Sequence, residues 1–168
     1  MNEPHVVCVV GAMRHVGKTT ILTKILMEMK RRGLTVGTIK HIGSRSKFDL
    51  PDGKDTGKHL KAGSSVTLAV TSSEIITIRK DLPATLESAL RQMPKELDYI
   101  LVEGFRESKY PKIVAASSKA EDLPETRGDI IAVVLDGKRM LRNVTGDGAE
   151  RFKVSVLVDL IEQHFGSS

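Results

Sequence analysis

The segment VVCVVGAMRHVGKTTILTKIL, Val6 to Leu26, sets the architecture. It opens on five small apolar residues, Val6–Val10, most of them β-branched, as expected of a strand buried on both faces. A mixed loop follows, then Gly17-Lys18-Thr19-Thr20. From Lys18 to Arg32 the apolar residues recur at helical period, with Ile21, Leu22, Ile25, Leu26 and Met29 on one face. Strand, loop, Gly-Lys-Thr and amphipathic helix, in that order, make a phosphate-binding loop. Lys18 and Thr19 fix its register. Counting back from Gly17 over Val16, His15, Arg14 and Met13 puts Ala12 at the pattern's first glycine, with Gly11 one place early. A small side chain beside the turn meets that requirement.

The physics of such a loop is specific. Successive backbone N–H groups point into one concavity, and the helix start adds a partial positive charge. Gly17 lets the backbone approach a phosphate closely. Lys18 is expected to bridge the terminal phosphates, and the Thr19 hydroxyl to coordinate Mg²⁺. The expected nucleotide-binding residues are therefore Ala12, Met13, Arg14, His15, Val16, Gly17, Lys18, Thr19 and Thr20.

Beyond the helix, Gly33 supplies a left-handed stop, and Thr35–Lys40 reads as a second strand, which completes a parallel βαβ unit. His41 to Lys58 is polar and punctuated, a long loop of the kind that carries function. Ser65–Thr71 and Glu74–Arg79 suggest a hairpin that can extend the sheet in antiparallel fashion. Pro83 to Gln92 reads as a helix with Leu86, Ala89 and Leu90 inward. Asp98–Val102, Ile113–Ala116 and Ile130–Leu135 are further strands, and Ser155 is a candidate cap for a last helix. The expected fold is one α/β domain over 1–168, a three-layer P-loop NTPase fold with a mostly parallel sheet and helices on both faces.

Ligands collect at the carboxyl ends of parallel strands, which selects between two acids. Asp98 starts the DYILVEG strand and Glu103 ends it, about 16 Å away at ~3.3 Å per residue. Only Glu103 is on the phosphate side, so it is the expected acidic partner of Mg²⁺ alongside Thr19. Lys40 and His41 end the second strand on the same edge. The segment from Lys40 to Lys61 holds six lysines and arginines against Asp49, Asp52 and Asp55, and Lys40 and Asp55 are the residues expected to meet a pterin phosphate or the partner bound to it. The histidines show no paired helical spacing that would mark a zinc or nickel site.

Composition excludes several classes. The 168 residues are 40% hydrophobic and 28% charged, an ordinary globular balance. Twenty-six Lys and Arg against 21 Asp and Glu give +5, so a small polyanion is a reasonable partner. With no Trp and 4% aromatics, no basic stretch is interleaved with stacking residues, which argues against nucleic acid. The lone Cys8 lies inside the first apolar run and suggests a reducing, cytoplasmic location as a small core residue. No run approaches a membrane span, and the first residues lack a signal-peptide pattern.

Five motifs occur in order: Gly17-Lys18-Thr19-Thr20, GTIKH (Gly37–His41), DLPDGKDTGKHLKAGSS (Asp49–Ser65), LVEGF (Leu101–Phe105) and YPKI (Tyr110–Ile113). The series, over residues 5–116, resembles MobB, the molybdopterin-guanine dinucleotide biosynthesis protein B family. That resemblance implies a P-loop nucleotide-binding fold, usually dimeric, that binds GTP with Mg²⁺ and hydrolyses it weakly. It implies work beside the guanylyltransferase that attaches GMP to molybdopterin, not the transfer itself. The family's phosphate site falls on Ala12–Thr20 and its strand-end acid on Glu103. Arg14 and His15 stand where relatives commonly carry small polar residues. The Asn-Lys-x-Asp signature of many GTPases is absent, and NVTGD at Asn143–Asp147 is not it, so GTP comes from the resemblance alone. Catalytic residues stay unassigned, because no base, glutamine or arginine finger is evident. The alternatives are a P-loop small-molecule kinase and a metallochaperone GTPase.

Overall fold

The computed structural model describes residues 3–11, 16–43, 55–117, 125–141 and 149–166. The chain forms two compact units, Met1–His41 with Met93–Ser168, and Ile42–Gln92.

The first unit is built on a seven-stranded sheet. Its strands are β1 (His5–Gly11), β2 (Val36–Lys40), β5 (Tyr99–Glu103), β6 (Lys112–Ala116), β7 (Ile130–Leu135), β8 (Arg139–Leu141) and β9 (Glu150–Arg151). Their spatial order is β2-β5-β1-β6-β7-β8-β9. The first five are parallel, while β8 and β9 add an antiparallel margin. So β1 and β2 are parallel, as expected of the βαβ unit, but β5 lies between them. β1 is the middle of the five parallel strands, and Val7, Cys8 and Val9 are wholly buried. Both of its faces are covered, which is why it has no alternation of polar and apolar residues.

Helix α1 (Lys18–Arg31) buries Ile21, Leu22, Ile25 and Met29 against one face of the sheet. Gly33, at φ 82°, ends it in a left-handed cap. Gly33 N donates to Lys30 O and Leu34 N to Met29 O, which satisfies two of the helix's last carbonyls. The last helix, α4 (Val154–Gly166), lies beside α1 and buries Leu157, Val158 and Ile161 in the same core. Arg32 ties the two helices together, reaching Glu28, Asp159 and Glu162 at 2.6–3.0 Å and the Ser155 carbonyl at 2.9 Å. Ser155 sits inside α4, which begins at Val154, two residues earlier than the serine-cap reading expected. Among the described residues no helix is long and apolar enough to cross a membrane.

The second unit holds α2 (Asp55–Lys61), β3 (Val66–Val70), β4 (Ile75–Arg79) and α3 (Leu86–Leu90). The loop expected through Lys58 is helical from Asp55: an acid starts α2 and Lys58, His59 and Lys61 crowd its last turn, in agreement with the helix dipole. Residues 44–54 of that loop lie outside the described residues. The expected hairpin forms, with Val66 opposite Arg79 and Val70 opposite Ile75, but as a separate two-stranded sheet. The antiparallel extension of the main sheet is β8–β9. Helix α3 is shorter than expected, because the Thr85 side chain accepts from Ser88 N and starts it only there.

Candidate functional site

The carboxyl ends of β1, β5 and β2 and the start of α1 meet at one edge. Gly17 is the N-cap residue of α1, at φ 85° and ψ 17°, and among the described residues no side-chain hydrogen bond caps the helix. A left-handed cap of this kind favours glycine, and a Cβ there would point into open space. The first-turn amides have no acceptor within the helix by construction, and that turn contains no acidic residue. The result is a backbone cradle for an anion. Gly11, which ends β1, is the crowded glycine. A Cβ on it would meet Val16 Cγ2 at 2.5 Å, the Ala115 carbonyl at 3.2 Å and Lys18 Cδ at 3.3 Å. The chain returning from the loop closes over this position. Sequence counting set Gly11 aside in favour of Ala12. Ala12, Met13, Arg14 and His15 lie outside the described residues.

Glu103 reaches this cradle. Its strand is in register with both neighbours, Val9 and Lys40 flanking it. The Thr19 hydroxyl lies 3.0 Å from Glu103 Oε1 and 2.9 Å from Oε2. Lys40 Nζ lies 3.4 Å from Oε2, with a side chain 60% exposed against 13% for Glu103. Thr19, Lys40 and Glu103 are therefore brought together. Asp98 is at the other end of β5, accepting from Thr35 N at 2.6 Å and Thr35 Oγ1 at 2.7 Å. Those bonds, the backbone one first, hold its carboxyl below the usual range. Asp98 fixes the start of β2 and takes no part at the phosphate edge. Asp55 belongs to the second unit, where it is exposed and pairs with Lys58 at 3.0 Å.

After Glu103 the backbone turns sharply. Gly104 has φ 103° and Phe105 φ 54°, and Gly104 N donates to Val9 O at 3.0 Å. A Cβ on Gly104 would meet His41 Cβ at 2.8 Å, and the His41 and Phe105 rings stack at 4.5 Å. The return to β6 is anchored by Lys112, a fully buried lysine. Its ammonium donates to Ser108 O at 2.7 Å, to Ser108 Oγ at 3.0 Å and to Tyr110 O. Desolvation lowers its pKa, yet every donor direction has an oxygen to meet. Cys8 lies beneath, 3.4 Å from Ser108 Oγ, with burial raising its thiol pKa. That agrees with a core cysteine.

A cavity of about 550 Å³ opens beside the cradle, lined by Gly17, Thr20, Lys24, Ala116, Asp136 and Lys138 among others. Sequence reading did not single out Lys24, Asp136 or Lys138. The available signal was positional: Asp136 directly follows a parallel strand, at the edge where ligands gather.

Fold and cradle together define a P-loop nucleotide-binding fold. The comparisons agree. The family model for molybdopterin guanine dinucleotide synthesis protein B, MobB, matches residues 6–136. A probable molybdopterin-guanine dinucleotide biosynthesis adapter protein of Bacillus subtilis is 34% identical over 145 residues, covering 84% of this chain and 82% of the relative. The adapter protein of Haemophilus influenzae is 35% identical over 120 residues, covering 70% and 67%. A crystal structure of Bacillus subtilis MobB superposes with a TM-score of 0.70 at 28% identity, covering 95% of this chain and 96% of the other. This chain belongs to the MobB family.

Proposed function

We propose that this chain is an accessory nucleotide-binding protein of molybdopterin guanine dinucleotide synthesis, which holds GTP with Mg²⁺ and hydrolyses it slowly at most. The observation that carries the reading is the Thr19–Glu103 pair. A hydroxyl on the first turn of α1 meets a carboxylate at the end of β5, beside an uncapped helix start. The pair offers oxygen donors alone, the chemistry that suits Mg²⁺ and not a softer metal. Thr19 and Glu103 would hold the ion, which supplies charge neutralisation for the phosphates. Gly17 and the α1 amides bind the phosphate oxygens, with Lys18 on the terminal ones.

The adapter relatives support an accessory role, in which the nucleotidyl transfer belongs to a guanylyltransferase partner. A cytoplasmic location fits this pathway and the reduced Cys8. Lys40, exposed on the phosphate edge, suits an anionic group of the pterin or its enzyme, and Asp55 on α2 suits the partner's surface. The apolar face of the hairpin, Leu68, Val70 and Ile75, each more than half exposed, suits a homodimer; sedimentation at the single-chain mass of 18.4 kDa would remove that part.

The test is calorimetric titration with GTP, with and without Mg²⁺, on the natural chain and on Lys18→Ala. Losing one charged contact to phosphate should cost about 2–3 kcal/mol, roughly 30- to 150-fold in affinity. Absence of heat with GTP and Mg²⁺, or an unchanged Lys18→Ala variant, rejects the reading.

A further inference from the structure

The cavity beside Gly17 has a composition of its own. Its floor is apolar at Ala116, which is buried at the end of β6. Two lysines flank it. Lys24 is one helical turn beyond Thr20, and its ammonium lies 5.4 Å from the centre of the Phe152 ring. Phe152 N in turn donates to Lys138 O at 2.7 Å, so both lysines belong to one frame. The stems of such lysines offer apolar surface and their tips positive charge, a suitable pair of walls for a flat aromatic ring.

Among the described residues that line the cavity, Asp136 is the one acid. With Gly137 it fills the two central positions of the turn within the three-residue β7–β8 connection: both have positive φ, 50° and 63°, and Lys138 N donates to Leu135 O at 2.9 Å. An Asp-Gly pair is what such a turn prefers, so the turn alone explains the residue type. It does not explain the location. Asp136 N donates to Ala116 O at 3.0 Å, which pins the turn to the end of β6, on the rim of a cavity that begins at the phosphate cradle. Asp136, an exposed residue, and the cradle thus border a single space, of a size within the ~300–1,000 Å³ usual for small-ligand sites.

We propose that this cavity receives the purine base of the bound nucleotide and that Asp136 selects guanine. The inference rests on the reading of Gly17–Thr20 as the phosphate site. Guanine presents two adjacent donors on its Watson–Crick edge, N1–H and the 2-amino group, and a carboxylate accepts from both at once. Adenine presents a ring-nitrogen lone pair there, which a carboxylate repels. The specificity that no Asn-Lys-x-Asp motif supplies comes from the hairpin turn.

The substitution Asp136→Asn tests this without disturbing the fold, because Asn-Gly is equally favoured in this turn. An asparagine accepts from N1–H and donates to a 2-oxo group, which is the edge of xanthine. Affinities for GTP, ATP and XTP are measured by calorimetry on the natural chain and on Asp136→Asn, with thermal melting as a check on folding. The natural chain should prefer GTP. The variant should lose GTP affinity about 10- to 100-fold, gain XTP affinity and, with the repelling carboxylate gone, bind ATP at least as well as the natural chain does. If GTP and ATP bind equally and Asp136→Asn changes neither, the base site is wrong while the phosphate site stands. If no triphosphate binds the natural chain, the phosphate site fails and the base site falls with it.

Discussion

Replacing Glu103 by Gln separates the folding role of this carboxylate from its metal role. In the folded chain Glu103 accepts one hydroxyl, from Thr19 at 2.9–3.0 Å, and faces Lys40 at 3.4 Å. Both interactions are exposed to solvent: Lys40 is 60% accessible, and an ion pair of that kind contributes about 0–1 kcal/mol. Glutamine keeps one oxygen for the Thr19 hydroxyl. Unfolding free energy should therefore change by less than about 1 kcal/mol. The metal-dependent term is larger. Exchanging a charged partner for a neutral amide forfeits about 1.5–3 kcal/mol, so affinity for GTP with Mg²⁺ should fall about 10- to 150-fold. With EDTA present the order should level or invert, since one negative charge beside the phosphates has gone. Calorimetry with Mg²⁺ and with EDTA, paired with urea denaturation, reads all three quantities. If Mg²⁺ strengthens GTP binding by the same factor in both proteins, Glu103 has no part in holding the ion.

Two further outcomes follow from the structure. Lys112→Met keeps the side-chain length but leaves Ser108 and Tyr110 without their shared donor in a buried site, so urea denaturation should show a loss of about 2–3 kcal/mol; an unchanged midpoint would mean that the ammonium does not anchor this return loop. Glu28 has its pKa lowered to about 2 by hydrogen bonds from Arg31 first and Arg32 second, so its contribution is present above the ordinary value of 4.5 and is lost as pH falls towards 2. Urea midpoints at pH 7 and pH 3 should accordingly lie closer together in Glu28→Gln than in the natural chain, and equal gaps would refute the assignment.

The sheet was readable where each segment carries its own instruction. Val6–Val10, Ile113–Ala116 and Ile130–Leu135 are continuous apolar runs, and strands with both faces covered must look like that. Gly33 announced the end of α1 because the left-handed cap needs it. Short elements were hidden. Arg139–Leu141 and Glu150–Arg151 have too few residues to show a period, and they pair only because the Asp136-Gly137 turn folds the chain back on β7. The same holds for the Asp55–Lys61 helix, whose single buried residue, Leu60, leaves no apolar stripe to detect.

The site divides along the same line. Thr19 and Glu103 are 84 positions apart, yet each was visible: one opens a helix after a glycine, the other ends an apolar strand, and in a parallel sheet those ends share an edge. The crowding at Gly11 escaped the motif because a motif counts positions while a structure counts space. The pattern's first glycine marks where backbone must bend, but the crowding against Val16 and Ala115 falls one residue earlier, where β1 passes under its returning loop. Asp136 was invisible for the opposite reason. An Asp-Gly pair between strands is fully explained by its turn, so local chemistry supplies no surplus to notice. Its meaning arises from the bond to Ala116 that carries the turn to the rim of the cavity beside Gly17, a relation among β6, β7 and α1 that no window of sequence contains. Specificity residues placed by topology on structurally sufficient turns are therefore the ones a sequence conceals, and exchange within the turn's own preferred pair, Asp for Asn, is the perturbation that isolates recognition from folding.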